Sequence, residues 1–250
     1  FMQKILIIGG AGYIGTVVSD YLLKKNYSVK VLDNFIYGNN YSIINNLKDR
    51  NFQFILGDMC EIRDLKSATC DVSQVVILSG LVGDPITKKY PKESNFINLD
   101  KMKAMIDFLY EQKLKKLIFI STCSNYGFMN ESKLADEETE LKPLSLYAEA
   151  KVSIENYILE KFKKTDVVAT ILRFATAFGL SSRMRFDLTV NEFTRSLALG
   201  KSLDVYDAET WRPYCHVNDF ARLIKIVLES KKGLVKNQVF NSGGDLNNFT

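Results

Sequence analysis

The sequence predicts an α/β fold, a doubly wound parallel sheet with a smaller C-terminal substrate lobe. Two observations carry this reading. Short, near-continuous runs of Ile, Val, Leu and Phe alternate with amphipathic helical patterns, as expected of parallel strands covered on both faces. A glycine-rich turn also joins the first of these runs to the first helix.

Strands are predicted at 4–8, 28–32, 52–56, 74–78, 116–121 and 167–172, with a further strand-like stretch at 238–241. Ile14, Val17, Val18, Tyr21 and Leu22 fall at helical spacing and give the first helix one apolar stripe. Further helices are predicted over 98–110, 147–161 and 187–199. Such alternation with short connections implies a parallel sheet with helices on both sides. Residues 1–178 read as the nucleotide-binding domain, its sheet completed by 217–242. Residues 179–216 and the C-terminal end read as the substrate lobe. Met2 reads as the natural start. A further C-terminal segment is expected, because no helix follows 238–241.

Composition narrows the function. Hydrophobic residues make up 46% of the 250-residue chain and charged residues 25%, enough to bury a core without disulfides or metals. The net charge of +4 comes from 33 basic and 29 acidic residues, interleaved rather than massed, so no nucleic acid partner is expected. Cys60, Cys70, Cys123 and Cys215 are scattered and His216 is the single histidine. No metal site is expected from them, and the thiols read as reduced in a cytoplasmic protein. No apolar run reaches the length of a membrane span and no signal peptide opens the chain, so no membrane partner is expected.

Gly9, Gly12 and Gly15 form a G-x-x-G-x-x-G turn between strand and helix. The first glycine permits the sharp turn, the second removes a side chain where backbone meets a pyrophosphate, and the third lets helix and strand approach. Tyr13 and Ile14 open the helix, whose free amides and positive dipole end suit phosphates. Asp33 ends the second strand, where a carboxylate accepts bonds from adenosine ribose hydroxyls and repels a 2′-phosphate. Its neighbour Asn34 supplies no arginine, so NAD is expected over NADP. Asp58 follows the third strand, suited to the adenine edge. Ser79 and Gly80 are small enough for close cofactor approach after the fourth strand. Met59 and Leu78 complete the expected cofactor contacts at these strand ends.

Tyr147 and Lys151 form Tyr-x-x-x-Lys on a predicted helix, so both side chains leave one face. A phenol with an ordinary pKa near 10 is a poor base. A neighbouring ammonium and a positive nicotinamide ring favour the phenolate, which can then accept a hydroxyl proton. The fifth strand delivers Thr122, placed to hold the reacting oxygen, with Ser124 beside it.

These motifs, with Gly57-Asp58, Ser121 to Gly127, Tyr147 to Lys151, Leu172 to Gly179 and Arg212 to Val217, run in order along nearly the whole chain. Together they resemble the extended short-chain dehydrogenase/reductase family, in its NAD-dependent sugar epimerase/dehydratase branch. The resemblance implies a Rossmann-type fold, bound NAD, Tyr147 as base, Lys151 on the nicotinamide ribose and Thr122 as helper. It implies that Asn98 fixes the active-site geometry and that Arg212 grips the diphosphate of a nucleotide sugar. It also implies a homodimer through helices 98–110 and 147–161.

Departures refine the expectation. The 4,6-dehydratases of this branch carry Asp-Glu after the catalytic threonine, whereas Cys123 and Ser124 stand here, and neither is a carboxylic acid. Thr176 occupies a position where many 4-epimerases have asparagine. Arg183 and Arg185 are suited to phosphate or a polar sugar, so the expected substrate contacts are Thr122, Ser124, Thr176, Arg183, Arg185 and Arg212. Arg173 reads as an internal anchor paired with an acid, and His216 as structural. The expected activity is oxidation at C4 of a nucleotide-activated sugar. Epimerisation through a 4-keto sugar ranks first and release of the keto sugar second. A non-catalytic NAD-binding protein would be marked by loss of Tyr147, Lys151 or Thr122, and all three are present.

Overall fold

The fold is seen in a computed structural model that describes residues 4–129, 134–244 and 246–250; Phe1 and Met2 lie outside these. In chain order the elements are β1 (Lys4–Ile8), α1 (Tyr13–Lys24), β2 (Ser28–Asp33), β3 (Phe52–Leu56), α2 (Ile62–Thr69), β4 (Gln74–Ile77), α3 (Asp84–Lys89), α4 (Pro91–Asn95), α5 (Met102–Tyr110), β5 (Lys116–Thr122) and α6 (Leu146–Phe162). There follow β6 (Val168–Phe174), β7 (Thr176–Phe178), α7 (Thr189–Ala198), β8 (Arg212–His216), α8 (Val217–Glu229), α9 (Lys232–Val235), β9 (Gln238–Ser242) and β10 (Asn248–Phe249).

Seven strands form a parallel sheet in the order β3-β2-β1-β4-β5-β6-β9. Alternate residues of each strand enter opposite cores. Ile5 and Ile7 face the layer of α1 and α8, with Val18, Leu22, Phe220 and Ile224. Leu6 and Ile8 face the layer of α2, α5 and α6, with Leu65, Ile106, Ile154 and Phe162. Both faces are thus dry, which is why the strands read as unbroken aliphatic runs. The order reverses between β1 and β4, and such switch points open a crevice at the carboxyl ends of the strands.

The predicted strands and helices are all found, with ends shifted by one or two residues. One helix differs in kind: 96–101 is a π-helical turn that leads into α5. Helix α8, not predicted, carries Val217, Phe220, Ala221, Ile224, Val227 and Leu228 on its buried face. That spacing is a clear helical signal. A second sheet of three short strands, β10-β8-β7, lies beside the main one. Among the described residues no helix is long and apolar enough to cross a membrane, and no group of three metal-ligating side chains occurs.

Candidate active site

The glycine turn sits at the switch point and is shaped by its neighbours. Gly9 has φ +85°, and a side chain there would meet the Ser79 backbone nitrogen at 2.7 Å. Gly15 admits no side chain, since a Cβ would lie 2.5 Å from the Gly9 carbonyl and 2.6 Å from Gly10 Cα. At Gly12 a Cβ would meet only the Gly9 carbonyl, at 3.3 Å, so the space beside this helix cap is open. Gly12, Tyr13 and Ile14 begin α1, and no acidic side chain stands in its first turn.

Two segments hold the turn in place. Asp33 Oδ2 accepts from the Ala11 amide at 3.0 Å, and Oδ1 accepts from the Phe35 amide at 2.9 Å. The Ala11 carbonyl accepts from Asn39 Nδ2 at 2.6 Å and from Ser42 Oγ at 3.0 Å. Burial pushes the Asp33 carboxyl above its ordinary range, against the pull of the two amides and of Arg183. Asn34 Nδ2 donates to Asp58 Oδ2 at 3.0 Å, and Asp58 Oδ1 accepts from the Cys60 amide at 2.8 Å. Burial raises the Asp58 carboxyl, yet these bonds outweigh it and hold the group below its usual range. Met59 is buried directly after it.

Leu78, Ser79 and Gly80 follow β4 against Gly9, with the Leu78 amide donating to the Ile8 carbonyl at 2.9 Å. Ser79 Oγ is buried and has no hydrogen-bond partner within the protein. Asn98 does not point into open space. Its Oδ1 accepts from the Leu81 amide at 2.8 Å, and its Nδ2 donates to the Leu81 carbonyl at 2.9 Å. Asn98 therefore fixes the backbone of the loop after β4.

The predicted base and its partner stand at the start of α6. Ser145 caps the helix by accepting from the Ala148 amide, so Tyr147 lies in the first turn and Lys151 one turn later. The Lys151 ammonium donates to the Ile120 carbonyl at 2.7 Å. It lies 4.4 Å from the Phe119 ring centre and 5.7 Å from that of Tyr147. Burial pulls Lys151 down to about 8, opposed by the charge of Glu155. At the end of β5, Thr122 Oγ1 accepts from the Ser124 amide at 3.1 Å and donates to Ser124 Oγ at 3.2 Å. Burial pushes the Cys123 thiol up to about 11, which removes it as a nucleophile at neutral pH.

The arginine segment is tied to the glycine turn by bonds that sequence reasoning does not reveal. Tyr13 donates to the Gly179 carbonyl at 2.7 Å and accepts from Asn191 Nδ2 at 2.9 Å. Ser181 Oγ donates to the Tyr13 carbonyl at 2.7 Å and shares a hydrogen bond with Thr16 Oγ1 at 2.8 Å. Asn191 also accepts from the Gly179 amide and donates to the Arg185 carbonyl. The Arg183 guanidinium lies 4.8 Å over the Tyr37 ring. Arg185 pairs with Asp187 through two nitrogens and lies within electrostatic reach of Tyr147 and Tyr37. Segment 179–187 thus reaches from the end of β2 to the start of α6. Thr176 begins β7 and Arg212 begins β8; Thr176 pairs with Tyr214, and Arg212 is exposed within electrostatic reach of Cys123.

Arg173 is an internal anchor, its Nη2 2.8 Å from Glu155 Oε2. His216 caps α8 by accepting from the Asn218 amide at its Nδ1, and its ring packs edge-on against Phe178.

The family model of the NAD-dependent epimerase/dehydratase family matches residues 5–243. The chain is 26% identical over 256 residues to a UDP-glucose 4-epimerase of Corynebacterium glutamicum, covering 96% of this chain and 75% of that protein. It is 26% identical to a dTDP-D-glucose 4,6-dehydratase of Dictyostelium discoideum, spanning 98% of this chain but 59% of the relative. Among solved structures, a UDP-glucuronic acid 4-epimerase from Bacillus cereus, in complex with UDP-glucuronic acid and NAD, superposes with a TM-score of 0.86 at 29% identity. That match covers 97% of this chain and 78% of the other. A UDP-glucose 4-epimerase from Thermotoga maritima with UDP-glucose gives 0.84 at 27% identity, covering 96% and 77%. With the family model matched over residues 5–243, the chain belongs to the NAD-dependent epimerase/dehydratase family.

Proposed function

We propose that this chain carries the active site of an NAD-dependent nucleotide-sugar 4-epimerase of the extended short-chain dehydrogenase/reductase type. The observation that carries the reading is the placement of Tyr147 and Lys151 one turn apart at the start of α6, with the Lys151 ammonium on the Ile120 carbonyl near the end of β5. The crevice fits the cofactor. Gly12 leaves an open face at a helix N-terminus, Asp33 keeps lone pairs for ribose hydroxyls, and the buried Ser79 hydroxyl lacks a protein partner. Gly9 to Gly15 would hold the pyrophosphate, Asp33, Asn34, Asp58 and Met59 the adenosine, and Leu78 to Gly80 with Tyr147 and Lys151 the nicotinamide riboside. When bound, NAD supplies the redox partner that takes hydrogen from C4 and gives it back.

The side chains of this chain do the rest. Tyr147 accepts the proton of the C4 hydroxyl, and the Lys151 ammonium stabilises the phenolate. Thr122 and Ser124 hold the sugar oxygen, while Arg183, Arg185 and Arg212, with Thr176, hold the substrate's phosphates and ring. The 4-keto sugar turns over in a lobe formed by 179–216 and the C-terminal end, and hydrogen returns to its opposite face. Absence of a carboxylic acid at Cys123 and Ser124 favours this outcome over water elimination. We also propose a cytoplasmic homodimer formed through α5 and α6, which lie side by side, with Asp107 bonded to both Tyr157 and Lys161.

The test is incubation of the purified protein with a panel of nucleotide sugars, products being analysed by mass and NMR. Epimers at unchanged mass are expected. A product two hydrogens lighter would instead make the enzyme a dehydrogenase, and no turnover of any nucleotide sugar would overturn the proposal.

A further inference from the structure

Three ionisable side chains are buried together beneath the start of α6: Lys151 at 8% exposure, Glu155 at 1% and Arg173 at 5%. Glu155 is one turn beyond Lys151, so the two leave the same side of the helix. Its carboxylate is fully engaged elsewhere. Oε1 accepts from Asn125 Nδ2 at 2.7 Å and Arg173 Nε at 3.2 Å; Oε2 accepts from Arg173 Nε at 3.2 Å and Nη2 at 2.8 Å. Arg173 Nη1 donates to the Tyr126 hydroxyl at 2.8 Å, and that hydroxyl donates to Asn241 Oδ1 at 2.7 Å. The carboxylate is thus immobilised by four bonds from β6 and the turn after β5.

A buried ion pair is weak evidence for stability, because well-packed apolar residues of similar volume are often as stable or more so. The pair lies, however, beside a buried ammonium on which the proposed chemistry depends. That ammonium donates to the Ile120 carbonyl and faces the rings of Phe119 and Tyr147. None of these carries a formal negative charge when Tyr147 is neutral. Glu155 does, and it opposes the burial that draws the Lys151 proton away.

Building on the function proposed above, we propose that Glu155 is a positioning residue of the active site, an immobilised carboxylate that keeps the Lys151 ammonium charged, with Arg173 holding it in place. Arg173 grips the Glu155 carboxylate through Nε and Nη2 and fixes it one turn from Lys151; Glu155 in turn keeps Lys151 charged for Tyr147.

The test titrates Lys151 directly by NMR in protein labelled at lysine Cε, the resonance being assigned by Lys151→Met. The native midpoint is expected near 8. In Glu155→Gln it falls by about one pH unit, the size of effect of an opposite charge one helical turn away in a buried site. Because Glu155→Gln leaves Arg173 buried without its partner, Glu155→Gln/Arg173→Gln is measured as well. There the midpoint lies between the native value and that of the single variant, or below the native value if the single variant does not fold. Glu155→Asp restores most of the shift. A native midpoint in either Gln variant would overturn the proposal. The alkaline limb of the pH–rate profile follows the same order for any substrate found. The titration needs no substrate, so displaced midpoints without turnover would fault the proposed function and leave the role of Glu155 standing.

Discussion

The Tyr13 hydroxyl donates to the carbonyl oxygen of Gly179 at 2.7 Å, across 166 residues of chain. The residue that opens α1 therefore also holds the loop bearing Arg183 and Arg185. Asn191 completes the arrangement by bonding the Tyr13 hydroxyl, the Gly179 amide and the Arg185 carbonyl.

Asn191→Leu is expected to release the arginine loop while leaving the glycine turn in place. Three hydrogen bonds, one buried and two part-buried, disappear, each contributing about 1 kcal/mol. The KM for the nucleotide sugar should rise about tenfold or more, with NAD affinity within threefold of native. Calorimetric titration of NAD alongside steady-state kinetics checks the split.

Tyr147→Phe removes the proton acceptor without disturbing the cap at Ser145. Turnover should fall by about 10²–10⁴-fold, the usual size of general-base catalysis. NAD should remain bound, as read by the nucleotide released on denaturing the purified variant.

Asp33→Ala removes a carboxylate that anchors the Ala11 amide and that the proposed function assigns to the ribose. NAD affinity should weaken by about 1.5–3 kcal/mol, the value of a hydrogen bond to a charged group. NADP should gain relative to NAD, helped by Arg183, which is close enough to Asp33 to lower its proton affinity. Equilibrium binding of both dinucleotides to the variant is the check.

Lys151→Met should abolish turnover yet stabilise the fold. Burial holds the lysine at about 8 in the native protein, against an ordinary value of 10.5. Below pH 8 the native state carries a charge that its surroundings disfavour, at a cost on the order of 3 kcal/mol. Between these two values the unfolded chain holds the proton more tightly than the native one. The contribution of Lys151 to stability therefore improves as pH rises through that window. A higher melting temperature for Lys151→Met at pH 7, shrinking towards pH 10.5, is the expected record.

Much of this is legible in the chain itself, and the division has a physical cause. Parallel strands with two dry faces are largely apolar, so β1, β2, β4, β5 and β6 stand out as Ile-, Val-, Leu- and Phe-rich runs. The glycine spacing is equally plain, because Gly9 and Gly15 occupy places where a single carbon would strike backbone. Helix α8 is written in its apolar spacing from Val217 to Leu228. The bonds of Tyr13 are not legible: Gly179 and Asn191 meet it through tertiary packing, and nothing local to either signals the partner. Asn39 and Ser42 likewise look like ordinary loop residues until the fold brings them to Ala11. The π-helical turn at 96–101 leaves no mark that separates it from an α-helix. Glu155 lies between these cases, since its spacing from Lys151 is visible but its grip on Arg173 is not.

The peptide of Ala11 is clasped at both ends, its amide by Asp33 and its carbonyl by Asn39 and Ser42. A turn held by its own side chains has little conformational freedom to surrender on association. Loosening Asn39 and Ser42 together should thus speed dinucleotide release without touching an atom that meets the ligand. In this turn, grip is a property of the chain's own bonds.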